Sequence, residues 1–159
     1  MSRRRQRFNL DTSVLGGCFD REFEDVSRAL VRDAEAGRFQ PVLSEVIAAE
    51  VSLAPEPVRD VYAHLAEIGT EVISVSAEAI ELAREFEGRG ILSARFRNDM
   101  LHIALAIVAD VDVLVSWNFK HIVRLDKIRL FNGVGLENGY RSLQIYSPRE
   151  VIFHGNDEN

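Results

Sequence analysis

Cysteine is nearly missing from this chain: Cys18 stands alone among 159 residues. One thiol excludes an internal disulfide and cannot build a cysteine zinc site. Long hydrophobic runs are missing too. The longest, Met100 to Ala109, is broken by His102 and falls far short of the ~20 apolar residues that a membrane-spanning helix needs. The basic opening, Met1-Ser2-Arg3-Arg4-Arg5-Gln6-Arg7, leads into a short strand pattern instead of the apolar core of a signal peptide. There is no excess of positive charge. The net charge of -6 argues against a protein that coats nucleic acid by neutralising phosphates. It leaves room for a nucleic-acid enzyme, because carboxylates that hold divalent ions make a site acidic when empty and attractive to phosphate once loaded. A glycine-rich phosphate loop is absent, which removes P-loop and dinucleotide enzymes. With no internal repeat, low-complexity segment or linker, the length suits one domain. These absences together point to a cytoplasmic, soluble protein.

What is present alternates between strand and helix patterns. Phe8-Asn9-Leu10 reads as a short strand ending in the polar turn Asp11-Thr12-Ser13, and Gly16-Gly17 follow. Glu22 to Ala36 carries Phe23, Val26, Leu30 and Ala34 at helical spacing, with Gly37 as a stop. Phe39 to Leu43 is a second strand, and Ser44 caps a helix that runs through Val51 with Glu45 in its first turn. After Pro55 and Pro57 a further helix continues to about Ile68. Glu71 to Val75 is a third strand, and Ser76 caps a helix closed by Gly88 and Gly90. The stretch from Arg97 to Asn118 dominates the chain: a buried helix, starting as early as Ser93, leads into a buried strand over Asp112 to Ser116. Asn118 to Leu125 reads as a short helix, Asp126 to Tyr140 as irregular, and Leu143 to Tyr146 as the last strand. Pro148 leads into a turn of helix at Glu150 to Phe153. This alternation predicts an α/β domain over 8–153 with a mainly parallel central sheet flanked by helices on both faces. A basic tail (1–7) and a polar tail (154–159) bound it.

Three acids stand out by context. Asp11 follows strand one, Glu50 sits on an otherwise apolar helix face, and Asp99 lies at the front of the most apolar helix. Each alone has an ordinary explanation: an Asx turn or cap for Asp11, a half-exposed or arginine-paired acid for Glu50, and a helix cap for Asp99. A charge beside so apolar a helix needs compensation. Asp99 therefore either caps that helix or faces a cation. In parallel sheets, sites form beyond the carboxyl ends of strands, where Asp11 and Asn118 fall directly and which Asp99 could reach. Cationic residues group at Arg3 to Arg7, at Arg84, Arg89, Arg95 and Arg97, and at Lys120, His121, Arg124, Lys127 and Arg129. The last two groups flank the central stretch. His102 reads as a satisfied core histidine, and Cys18 as a small core filler.

Taken in order, the acids and their surroundings resemble the PIN domain, the nuclease fold of many bacterial and archaeal ribonuclease toxins. The matching pieces are Leu10-Asp11-Thr12-Ser13-Val14-Leu15, then Ser44-Glu45-Val46-Ile47-Ala48-Ala49-Glu50, then Asp99-Met100-Leu101-His102-Ile103-Ala104-Leu105-Ala106, then Val113-Leu114-Val115-Ser116-Trp117-Asn118. The ending Tyr140 to Val151 is similar as well, so the resemblance covers nearly the whole chain. It implies a PIN-like fold and a metal-dependent ribonuclease, with Asp11, Glu50 and Asp99 as ligands to Mg²⁺ or Mn²⁺. These are hard cations that prefer oxygen donors. Cleavage in this family leaves 5′-phosphate and 3′-hydroxyl ends. The fourth acid position holds Asn118, which offers a carbonyl and an amide but no charge, so the expected loss falls on a second metal. Thr12, Ser13 and Ser116 could hydrogen-bond the ligating carboxylates, and Lys120 and His121 could touch RNA phosphate. The resemblance further implies the toxin of a toxin–antitoxin pair, a cognate antitoxin as partner, and a homodimer.

Two other readings compete. An aspartyl-nucleophile hydrolase of the haloacid dehalogenase type wants a second acid two residues after the first, and that place is Ser13. The stronger rival is a module of the same fold, with weakened metal chemistry at Asn118, that binds RNA or a partner protein without cutting.

Overall fold

The computed structural model describes residues 4–153. Residues 1–3 of the expected basic tail, and the polar tail at 154–159, lie outside them. Five strands form one sheet: β1 (Arg7–Leu10), β2 (Gln40–Ser44), β3 (Glu71–Ile73), β4 (Val113–Val115) and β5 (Gln144–Tyr146). Their order is β3-β2-β1-β4-β5, and every pairing is parallel. The expected parallel sheet of an α/β fold is therefore present. Arg7 opens β1, and its guanidinium forms two bonds to Glu71 on β3 at 2.9 and 2.7 Å.

Helices cover both faces because alternate strand residues are apolar on each. Phe8, Leu10, Val113 and Val115 pack with one set: α1 (Thr12–Gly17), α2 (Glu24–Glu35), α3 (Glu45–Ser52) and α4 (Glu56–Glu67). Val42, Leu114 and Ile145 face the other way, onto α5 (Ala77–Gly88), α6 (Arg97–Val108) and α7 (Leu125–Glu137). A short α8 (Pro148–Val151) closes the chain, with Ser147 and Glu150 forming a capping box. Among the described residues no helix is long and apolar enough to cross a membrane.

The chain departs from the sequence expectation in three places. The turn after β1 is a six-residue helix, α1, despite Gly16-Gly17. A Cβ on Gly17 would stand 2.5 Å from Ser27 Oγ and 2.8 Å from Trp117 Nε1, so the glycine lets α1 press against α2 and the end of β4. Asn118 to Leu125 is turn and coil up to Arg124, not a helix. Asp126 to Tyr140, expected to be irregular, is mostly the 13-residue α7. That helix survives Asn132, Gly133 and Gly135 because tertiary contacts outweigh propensity. Phe131 meets Phe86 edge-on at 4.9 Å, and Asn132 exchanges two hydrogen bonds with the backbone of Leu143, at 2.7 and 3.0 Å.

In this strand order the direction of winding reverses between β1 and β4. In an open parallel sheet the usual place for a ligand is the crevice outside the carboxyl ends of two such neighbours.

Candidate metal site

Asp11 stands at the carboxyl end of β1 as the N-cap of α1, its Oδ1 accepting the N–H of Thr12 at 2.8 Å. Its Oδ2 accepts two hydroxyls, Ser13 at 2.9 Å and Ser116 at 2.7 Å. Ser116 directly follows β4, so its bond ties the ends of the two central strands together, and Ser13 Oγ also accepts the N–H of Trp117 at 2.9 Å. The carboxylate is buried yet fully engaged, which is what makes its charge tolerable there.

Glu50 arrives from α3, whose start is fixed by Ser44 Oγ accepting from Ile47 N at 3.2 Å. Such a cap stabilises a helix by about 1 kcal/mol. Oε1 of Glu50 accepts two donors, the Thr12 hydroxyl at 2.7 Å and His102 Nε2 at 2.8 Å. Burial works against charge on Glu50. The bond from His102, the imidazole's charge and the Thr12 hydroxyl outweigh it, so the carboxyl lies below its usual range.

Asp99 lies in the first turn of α6, inside the helix and not at its cap, which is Phe96. Its Oδ2 meets His121 Nδ1 at 3.0 Å. Of the two roles left open for Asp99, capping is therefore not the one it plays. Burial pushes the Asp99 carboxyl up; the His121 bond offsets part of that, and the charge of Asp11 adds to it.

The histidines revise the sequence reading. His102 is buried, as expected of a core residue, at 3% exposure. Its partners are site acids, however: Glu50 at 2.8 Å and Asp11 Oδ1 at 3.7 Å. Burial favours the neutral imidazole, but the Glu50 bond and the charges of Asp11, Glu50 and Asp99 prevail and raise it above the ordinary 6.5. One signal in the sequence could have located it. Asp99 and His102 are three residues apart on a helix and so share a face. His121 is likewise drawn inward, its ring 3.9 Å from that of Phe96, while Lys120 remains exposed.

Asn118 does not project a free carbonyl. Its Oδ1 accepts the N–H groups of Lys120 at 3.2 Å and His121 at 3.0 Å, and its own N–H donates to Ser116 Oγ at 3.0 Å. It shapes the turn that carries Lys120 and His121. Cys18 is buried and donates weakly to Val14 O at 3.7 Å, away from these acids.

The donor set suits a hard divalent cation: three carboxylates, with Glu50 Oε2 and Asp99 Oδ1 accepting no hydrogen bond among the described residues. Among those residues no three acid or histidine side chains surround one point at coordinating distance. Glu50 and Asp99 each meet a histidine through one oxygen and keep the other free of hydrogen bonds among the described residues.

No family model matches the chain, and no curated protein matches it. Its fold does recur among solved structures. VapBC2 from Rickettsia felis, described as bound to a DNA fragment from its promoter, superposes with a TM-score of 0.56 at 18% identity, covering 89% of this chain and 98% of that one. VapC20 from Mycobacterium tuberculosis, described as a sarcin–ricin loop cleaving toxin, gives 0.54 at 12% identity, covering 86% and 98%. A toxin–antitoxin complex from Klebsiella pneumoniae gives 0.52 at 18% identity, covering 71% and 88%. At these identities the likeness is one of fold.

Proposed function

We propose that the protein is a metal-dependent endoribonuclease and the toxin of a toxin–antitoxin pair. The observation that carries this reading is the gathering of Asp11, Glu50 and Asp99 from three separate elements around the crevice between β1 and β4, in a fold shared with toxin–antitoxin proteins. The wide sequence separation of these acids, and the hydroxyls and imidazoles that hold them, favour a built site over three unrelated surface charges.

In this reading Asp11, Glu50 and Asp99 hold Mg²⁺ or Mn²⁺. When bound, such an ion neutralises charge developing on the scissile phosphate and makes water nucleophilic at neutral pH. Ser13 and Ser116 keep the Asp11 oxygens pointed into the crevice, and Thr12 does the same for Glu50. Lys120, exposed beside Asn118, supplies a cation for RNA phosphate. His121, bonded to Asp99, acts on that acid before it acts on RNA. Asn118 brings no charge, which favours one resident ion over two. A cognate antitoxin that covers the acid cluster completes the proposal, in line with the toxin–antitoxin complex from Klebsiella pneumoniae that shares the fold, and the protein acts as a homodimer.

A second reading has one observation in its favour. With the uncharged Asn118 at the fourth position, the same crevice could hold RNA or a partner protein without cutting. Incubating a mixed RNA pool with Mn²⁺, Mg²⁺ or EDTA, beside the Asp99→Asn variant, separates the two. Cutting that needs metal and disappears in the variant supports the ribonuclease. RNA binding that ignores EDTA, with no cutting by folded protein, supports the binding module.

A further inference from the structure

Nothing in the apolar run of α6 calls for a histidine. Its neighbours Leu101, Ile103, Ala104 and Leu105 fill the core, and a leucine at position 102 would do the same without the cost of burying a polar ring. The imidazole instead reaches across to a different layer and donates to Glu50, 52 residues earlier in the chain. We infer that His102 is the positioning residue for Glu50, fixing that carboxylate for the divalent cation. This rests on the metal-dependent reading above.

Three further observations support it. Glu50 is the most exposed of the three site acids, with its side chain 33% accessible against 8% for Asp11 and 23% for Asp99. A glutamate so placed on a helix surface has many rotamers, and holding it over the crevice costs side-chain entropy unless donors fix it. Both of its donors, Thr12 and His102, converge on Oε1 and leave Oε2 available to the ion. Finally, His102 lies on the same face of α6 as Asp99, so one rigid helix delivers both a ligand and the group that aligns another. With no acid at Asn118, the site has fewer charges with which to hold an ion, and the alignment of those that remain matters more.

Isothermal titration with Mn²⁺ alone, on the full chain at one fixed pH, tests the inference without relying on activity. Thermal melts in EDTA report the fold of each variant. His102→Leu keeps the volume and removes the donor; it should weaken Mn²⁺ binding about ten- to hundredfold, as loss of a group that orients a metal ligand generally does. His102→Gln places an amide N–H near the position of Nε2–H and should stay within about threefold of wild type, a small part of that range. Should the leucine variant fail to fold, His102→Asn, too short to reach Glu50, takes its place with the same expected loss. Wild-type affinity in a folded leucine or asparagine variant, or tighter binding, overturns the inference and leaves the ribonuclease reading standing. Absence of Mn²⁺ binding by the wild-type protein overturns both.

Discussion

Asp11 and Ser116 are 105 residues apart in the chain and 2.7 Å apart in space, hydroxyl to carboxylate. The bond spans the ends of two adjacent parallel strands, β1 and β4, at the point where the sheet changes its direction of winding. It makes one residue pair responsible both for joining the ends of two central strands and for orienting a carboxylate.

Ser116→Ala should therefore be felt twice. Loss of a buried hydrogen bond to a charged acceptor costs about 1–3 kcal/mol, and the Asn118 N–H loses its acceptor as well. Urea unfolding should show a lower midpoint with an unchanged slope, and metal-dependent RNA cleavage should fall in the folded fraction. A change in stability below about 0.5 kcal/mol, the range of an ordinary surface substitution, would mean that the Ser13 and Thr12 bonds suffice for Asp11.

Much of this arrangement is legible without coordinates. Asp11 stands out by its place after strand one, Glu50 by an otherwise apolar helix face and Asp99 by the apolar helix it opens, and the parallel sheet by strands alternating with helices. The failures have physical causes. Gly16-Gly17 reads as a turn by propensity, yet it permits the helix α1 because the missing Cβ is what lets Trp117 and Ser27 approach. Residues Asp126 to Tyr140 look irregular because Asn132, Gly133 and Gly135 lower helix propensity. What holds α7 there is burial of Phe131 and Val134 against the other helices, a property of the assembled layers. His102 is the instructive case. Periodicity alone places it in the core, and it is there; only the folded chain reveals its bond to Glu50 on α3.

Gly17→Ala gives a direct test of the close approach at α1. Within helices alanine is intrinsically favoured over glycine, by up to about 1 kcal/mol in the interior, so propensity alone predicts some stabilisation at this last residue of α1. The structure predicts the reverse. The new Cβ would meet Ser27 Oγ and Trp117 Nε1 inside contact distance and disturb the 2.8 Å bond between them. Overpacking of this kind costs about 1–3 kcal/mol. Since Trp117 is the only tryptophan, its emission spectrum should shift along with the loss in urea midpoint. A more stable variant with unchanged emission would contradict the packing described.

Cys18 should be slow to react in the native state. Burial pushes its thiol above the ordinary 9.0, with Arg28 pulling back part of the way, and the reactive species is the thiolate. Alkylation by iodoacetamide at pH 8 should be slow in native protein and rapid in urea, and the native rate should climb as the pH is raised toward 10. Fast native labelling at pH 7 would place Cys18 at the surface, in conflict with its 3% exposure.

Lys120 provides the test of the proposed RNA contact. The turn built by Asn118 Oδ1 holds the backbone of Lys120 and leaves its ammonium exposed, with no ion pair among the described residues. An overall net charge of -6 means that phosphate attraction must come from local cations of this kind. Lys120→Ala should weaken binding of single-stranded RNA about equally across sequences. The slope of log K against log salt should fall by roughly 0.7, the share of one phosphate contact on a single strand. The measurement is a salt series of RNA-binding isotherms with Ca²⁺ in place of Mg²⁺, so that cleavage does not intervene. If affinity drops but the salt slope stays the same, Lys120 acts through the turn and not on phosphate. If neither changes, Lys120 does not contact RNA.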